Sequence, residues 1–202
     1  MIIGVIRTWK YSVSMKVGII GEDPYDTTAI KNLLSRKYPY QFKPILKQVR
    51  GHQLDSAKSR RLLKIELMHH AYPIIIYTRD LDGLETEIRK KEKVFKWFKN
   101  MNSVNANIGV LLLNIYELEA LILADIDTFN RLFGVNVNFT GNPMYKKEPK
   151  EYLKEQTRKC RRKYEVSENP GIFKLLRIEE LMKNCPYFKE FIVIFDRKIK
   201  EK

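Results

Sequence analysis

Apolar and polar positions alternate along this chain in blocks that predict strands and helices in turn. Lys16-Val-Gly-Ile-Ile-Gly21 is a short apolar run bounded by glycine, the pattern of a buried strand. Asp26-Thr27-Thr28 then offers helix caps, and Ala29, Ile30, Leu33 and Leu34 carry the apolar side of a helix ending near Tyr38-Pro39. Phe42 to Val49 reads as a second strand, with Pro44 favouring an edge or an early position. Ser56 opens a helix in which Leu62, Leu63, Ile65, Leu67 and Met68 alternate with Lys58, Arg60, Arg61 and Lys64. Pro73 to Thr78 is the clearest buried strand and runs into Arg79-Asp80-Leu81-Asp82-Gly83. A charged helix follows from Leu84 to about Asn100, with Ile88, Val94, Phe95 and Phe98 expected inward and its charges on a solvated face. Asn107 to Asn114 reads as a fourth strand, Tyr116 to Ala124 as a buried helix, and Asp127 to Phe133 as a helix closed by Gly134.

This β-α-β-α-β-α-β order predicts an α/β fold: a mainly parallel, Rossmann-like sheet flanked by helices. The core is expected over residues 1–135. Residues 1–14, which precede a second methionine, are either an extra N-terminal strand or an upstream start. From Asn136 the character changes to a basic, mainly helical extension, 136–202, expected to pack on the core as a C-terminal appendage. Its cations are densest at Arg158, Lys159, Arg161, Arg162 and Lys163.

Composition sharpens the picture through charge. The 202 residues carry 38 Lys and Arg against 24 Asp and Glu, a net charge of +14. Between Lys31 and Lys99 there are 17 basic and 7 acidic residues. Such a protein is expected to meet polyanions, because its cations displace counterions condensed on phosphate backbones. Lys58, Arg60, Arg61 and Lys64 are the candidate nucleic-acid contacts, with Arg79 and Lys174 as further phosphate clamps. Two cysteines exclude a disulfide framework and a four-cysteine zinc site. They suit a reducing cytosol, and with no signal-peptide pattern and no apolar run of membrane length a cytoplasmic protein is expected. The three histidines lack metal-ligand spacing, and neither a Gly-x-x-x-x-Gly-Lys loop nor a Gly-x-Ser-x-Gly elbow occurs.

Acidic residues gather where a parallel sheet places its ligands, at the carboxyl ends of strands. The first strand ends in Gly21-Glu22-Asp23, the third in Asp80-Leu81-Asp82, and the fourth runs into Tyr116-Glu117-Leu118-Glu119. Carboxylates collected at one edge repel one another unless a cation neutralises them. Oxygen ligands of this kind suit Mg²⁺ or Mn²⁺.

The order of these motifs resembles the TOPRIM domain of topoisomerases, primases and small nucleases. An apolar strand leads into Gly21-Glu22, a helix follows, and a later apolar strand leads into Asp80-x-Asp82-Gly83. The resemblance covers residues 16–134. The segment Tyr116 to Asp125, Tyr164 and the stretch Ile178 to Phe188 are similar to small bacterial TOPRIM proteins related to overcoming-lysogenisation-defect nucleases. It implies a TOPRIM-like core in which Glu22 is a general acid/base or metal-associated group. It also implies that Asp80 and Asp82 are metal ligands, and that Glu119, with Glu117 second, is the extra acid of two-metal variants. The family commonly follows its glutamate with a Gly-rich or Ser/Asp turn; here Asp23-Pro24-Tyr25-Asp26 stands instead, and Asp26 reads as a helix cap.

The expectation is an Mg²⁺- or Mn²⁺-dependent nuclease acting on DNA or RNA, tRNA included. The resemblance adds a toxic effector of antiphage defence controlled by an ABC-type or AAA ATPase partner. The alternative is a non-catalytic nucleic-acid-binding or ATPase-docking module. Homo-oligomerisation stays open, and no membrane partner is expected.

Overall fold

The computed structural model describes residues 15–106 and 108–202. The expected N-terminal strand at 1–14 lies outside these. Four strands, β1 (Lys16–Ile20), β2 (Gln41–Pro44), β3 (Ile74–Asp80) and β4 (Gly109–Asn114), form one sheet in the order β2-β1-β3-β4. All three pairings are parallel. Val17, Ile19, Ile20 and Ile74 to Tyr77 are wholly buried, as in strands covered on both faces by helices. Pro44 is tolerated because β2 is an edge strand. The sheet strand ends there, so the chain from Ile45 to Val49 packs its apolar side chains without extending the strand.

The helices between strands are α1 (Pro24–Leu34), α2 (Ala57–His69) and α3 (Ile88–Asn102). Asp23, not the Asp26-Thr27-Thr28 stretch, caps α1. Its backbone is extended, its carboxylate accepts from the Tyr25 N–H at 2.7 Å, and Pro24 takes the first helical position. Ser56 caps α2 as expected, accepting from Ser59 N–H at 3.2 Å. Helix α3 begins four residues later than the charged stretch suggested and turns inward only part of the expected face, Val94 and Phe98. Val94, Trp97 and Met101 are buried, whereas Ile88 and Phe95 are exposed. Trp97 decides the rotation: its indole donates to the Leu54 carbonyl at 3.0 Å and its ring meets Tyr77 edge-on.

Beyond the sheet come α4 (Ala120–Ala124), α5 (Ile126–Phe133), α6 (Pro149–Thr157), α7 (Asn169–Phe173), α8 (Ile178–Asn184) and α9 (Pro186–Lys200). The stretch Tyr116 to Glu119 is a turn before α4, not helix. Helix α7 packs against α1, and α9 against β4. Phe188, Phe191 and Phe195 of α9 join the same apolar core as the strands. Asn32 of α1 donates to the Pro170 carbonyl at 2.8 Å, and Tyr38 donates to Asp196 at 2.6 Å. No helix among the described residues is long and apolar enough to cross a membrane.

Gly21 ends β1 under tight packing. A Cβ there would lie 2.7 Å from Thr78 Cγ2 and 2.9 Å from Thr27 Cγ2, both on stiff β-branched side chains. Gly21→Ala is expected to lower stability by about 1–3 kcal/mol, read as a shifted urea midpoint. An unchanged midpoint would show that the end of β1 has slack this packing denies.

Candidate active site

The chain leaves β1 on one side of the sheet to form β2, then crosses back to form β3 on the other side of β1. The reversal opens a crevice at the carboxyl ends of β1 and β3, the place where open α/β sheets bind ligands. Register pairs Ile20 with Tyr77, so Glu22, just after β1, and Asp80, at the end of β3, emerge side by side.

Asp80 is the last residue of β3 and pairs in register with Asn114 of β4. The buried Asn114 amide donates to Asp80 Oδ1 at 2.9 Å and to Thr78 Oγ1 at 3.2 Å, which sets the carboxylate's orientation. Burial raises the Asp80 pKa well above the usual carboxylate range, and repulsion from Asp26 and Glu119 adds to it. Asp26 sits in the first turn of α1. Burial, then Glu119, Asp23 and Glu22, push it up to about 8. Among the described residues its carboxylate has no hydrogen-bond or ion-pair partner. It is therefore a member of the acidic group rather than a cap.

Glu119, 4 % exposed, closes the group from the turn after β4. Its Oε1 accepts from Tyr164 Oη at 3.2 Å and from Asn169 Nδ2 at 3.0 Å, both from the C-terminal segment. Its pKa is raised, again by burial first, with the Asn169 bond opposing. Glu22 stands at the edge. Arg79 Nε holds it at 2.6 Å, yet burial outweighs that attraction and its pKa is raised.

The structure places the other predicted acids on the rim. Asp82 is exposed, in a left-handed turn with φ of 53°; its N–H donates to the Tyr116 carbonyl at 3.0 Å, and its own carbonyl accepts from Lys90 at 2.6 Å. Its charge reaches the site by raising Glu22. Glu117 is bound by Lys150, at 3.0 Å from Nζ and 3.1 Å from the backbone N–H. Asp26, Asn114, Asn169 and Lys150 are the site residues the sequence reading did not select.

The four predicted nucleic-acid contacts divide. Arg60, Arg61 and Lys64 line one cavity of about 630 Å³, while Lys58 lines a separate cleft with His52 and Gln53. Arg79 does not face open solvent: it bridges Glu22 and Asp55 and lies 4.7 Å from the Trp97 ring centroid. Lys174 is exposed at the end of α7.

An all-oxygen set of buried and half-buried, mutually repelling carboxylates, with Asp26 lacking a protein donor, fits a hard divalent cation by its chemistry. As the side chains stand, no three His, Cys, Asp or Glu among the described residues are gathered into a metal-binding group. Binding would therefore require side-chain rotation toward the ion.

Raised carboxyl pKa values have a defined consequence. Between about pH 5 and 8 the folded chain keeps protons that the unfolded chain releases, so these groups make stability fall as pH rises through that window. Asp26→Asn is expected to raise the melting temperature at pH 8 more than at pH 5, by about 2–4 °C for each kcal/mol of repulsion relieved. Equal shifts at both pH values would show that Asp26 is not held up by its neighbours.

Neither the curated proteins nor the solved structures contain a match to this chain. A family model described as "Domain of unknown function (DUF4276)" matches residues 22–194, a span that includes Glu22, Asp26, Asp80, Glu119, Tyr164 and Asn169. The chain belongs to that family.

Proposed function

We propose that this protein is a metal-dependent nuclease that hydrolyses phosphodiester bonds in DNA or RNA at the crevice between β1 and β3. The observation that carries the reading is the set of a buried Glu119 and half-buried Asp26 and Asp80, mutually repelling carboxylates without an ion-pair partner of their own in a protein of net charge +14. Structural carboxylates in such a protein would be expected to find cations, as Asp125 does with Arg177. The ordered motifs Gly21-Glu22 and Asp80-x-Asp82, similar to TOPRIM nucleases, support the same reading.

Asp26, Asp80 and Glu119 would hold Mg²⁺ or Mn²⁺, with Glu22 and Asp82 at its edge. A bound ion would supply charge neutralisation, a more acidic water and stabilisation of the leaving oxygen. The chain's own residues prepare that site. Asn114 orients Asp80, and Tyr164 and Asn169 fix Glu119. Glu22, with Arg79 fixing one oxygen, takes the proton of the attacking water. The water oxygen bonds to phosphorus as the ester P–O bond breaks, and the leaving oxygen is protonated from solvent. The TOPRIM resemblance extends the proposal to a toxic effector in antiphage defence, controlled by an ABC-type ATPase partner.

A second reading has its own support. The Arg79–Glu22 pair and the ungathered ligands describe a site that is not set for metal as it stands, which favours a non-catalytic binding module. The two differ in one assay. Wild type, Asp80→Ala and Glu22→Ala, each checked for fold by circular dichroism, are given plasmid, single-stranded DNA and tRNA with Mg²⁺, Mn²⁺ or EDTA. Cleavage is expected only with metal, and each substitution should lower it about 100-fold or more. Cleavage that persists in EDTA overturns the proposal, as does a lack of cleavage with the ATPase partner present.

A further inference from the structure

The sequence offers two basic regions, and in each the structure matches some cations and leaves others unmatched. In the C-terminal region Lys150 pairs with Glu117, Lys154 with Glu151, Arg158 with Glu155 and Arg162 with Glu168, while Lys159, Arg161 and Lys163 form no ion pair among the described residues. Between α2 and α3 the unmatched cations are gathered around shared cavities, where only Lys93 meets an acid, Asp55 at 4.0 Å. Arg60, Arg61 and Lys64 of α2 and Lys96 of α3 form no ion pair among the described residues. Three of them line the 630 Å³ cavity, whose far wall is Asn100, Ser103 and Val104. A second cavity of about 190 Å³ shares Arg60 and Asn100 with the first and adds Lys93, Lys96 and Trp97. The two are thus one groove, with Arg60, Arg61 and Lys64 on one wall and Lys93 and Lys96 on the other.

The groove also leads somewhere. Asp55 lines its inner end and pairs with Arg79, and Arg79 pairs with Glu22 at the carboxylate crevice. Unpaired cations facing one another across a groove repel, and a polyanion relieves that repulsion while releasing its counterions. Lys93 and Lys96 are the lysines of α3 that line this groove. Trp97, 5 % exposed and pinned by Leu54, keeps that wall in place and is too buried to stack on a base. Recognition here is of phosphates, not bases.

We propose that the groove between α2 and α3 is the track for one phosphodiester strand, delivering it to the crevice between β1 and β3. The destination rests on the nuclease reading; the track itself does not. Binding is measured by fluorescence anisotropy in EDTA, where cleavage is silent, with labelled single-stranded DNA, single-stranded RNA and duplex DNA of about 20 nucleotides. The groove variant carries Arg61→Ala, Lys64→Ala and Lys96→Ala. A charge-matched control carries Lys154→Ala, Arg158→Ala and Arg162→Ala.

The groove variant is expected to lose about tenfold or more in affinity and to lower the salt slope by about 2, since each lost phosphate contact removes about 0.7 on a single strand. The control is expected to stay within about twofold of wild type, its cations being matched by neighbouring acids. The probe bound most tightly names DNA or RNA as the source of the strand. No binding by wild type, no loss in the groove variant, or an equal loss in the control overturns the proposal. Groove-dependent binding without cleavage under any metal sinks the nuclease reading and leaves the track standing. Metal-dependent cleavage with an unchanged KM in the groove variant does the reverse.

Discussion

Everything at the candidate site depends on the parallel pairing of β1 with β3. Its register, Val17 with Ile74 through Ile20 with Tyr77, brings two loops separated by some fifty-five residues of chain to the same edge. The pairing is held by burial: seven of the side chains along these two strands are wholly enclosed, and a slip of one residue would turn an apolar run against the wrong neighbours. Because the strand order switches between β1 and β3, the chain leaves their carboxyl ends in opposite directions, and the place of the site is a consequence of topology. Asp80 occupies the last position of β3, so a rigid strand rather than a loop aims it.

Burial and charge then pull against each other. A carboxylate enclosed by protein resists ionisation, and neighbouring carboxylates increase that resistance, as the raised Asp26, Asp80 and Glu119 show. The chain accepts this cost here while pairing acids elsewhere. Asp125, 1 % exposed, has Arg177 and a lowered pKa. The contrast separates an acid with a cation of its own from a set that has none.

What could be read in the sequence follows from how local the cause is. The strands and most helices were legible because apolar runs and capping residues act over a few neighbours. Glu22 and Asp80 were legible because they directly follow apolar strands. The cap of α1 was misplaced because Asp23 and Asp26 are equivalent in type; only the extended backbone of Asp23 and Pro24 after it decide between them. The inward face of α3 was read in part: Val94 and Phe98 do meet the core, but Ile88 and Phe95 do not, and Trp97, which the indole's bond to Leu54 turns inward, was passed over. The partners of Glu119 could not be found by spacing at all. Tyr164 and Asn169 lie 45 and 50 residues away and meet it only because α7 docks on α1.

That docking changes what the C-terminal region is for. A helical appendage that merely covered the sheet would present apolar side chains to it, as α9 does with Phe188, Phe191 and Phe195. The segment from Lys150 to Asn169 does more, because it brings a cation to Glu117 and two donors to Glu119. On the opposite flank Arg79 holds Glu22 and Asp55 together while lying over Trp97. A lysine could not replace it, since one ammonium cannot join two carboxylates in the plane of a fork and stack on a ring as well. The crevice is therefore framed on one side by the C-terminal helices and on the other by the wall of the basic groove. Both frames are built from residues whose own partners are fixed, and Asn114 holds Asp80, which leaves Asp26 as the acid with most freedom to move toward a ligand.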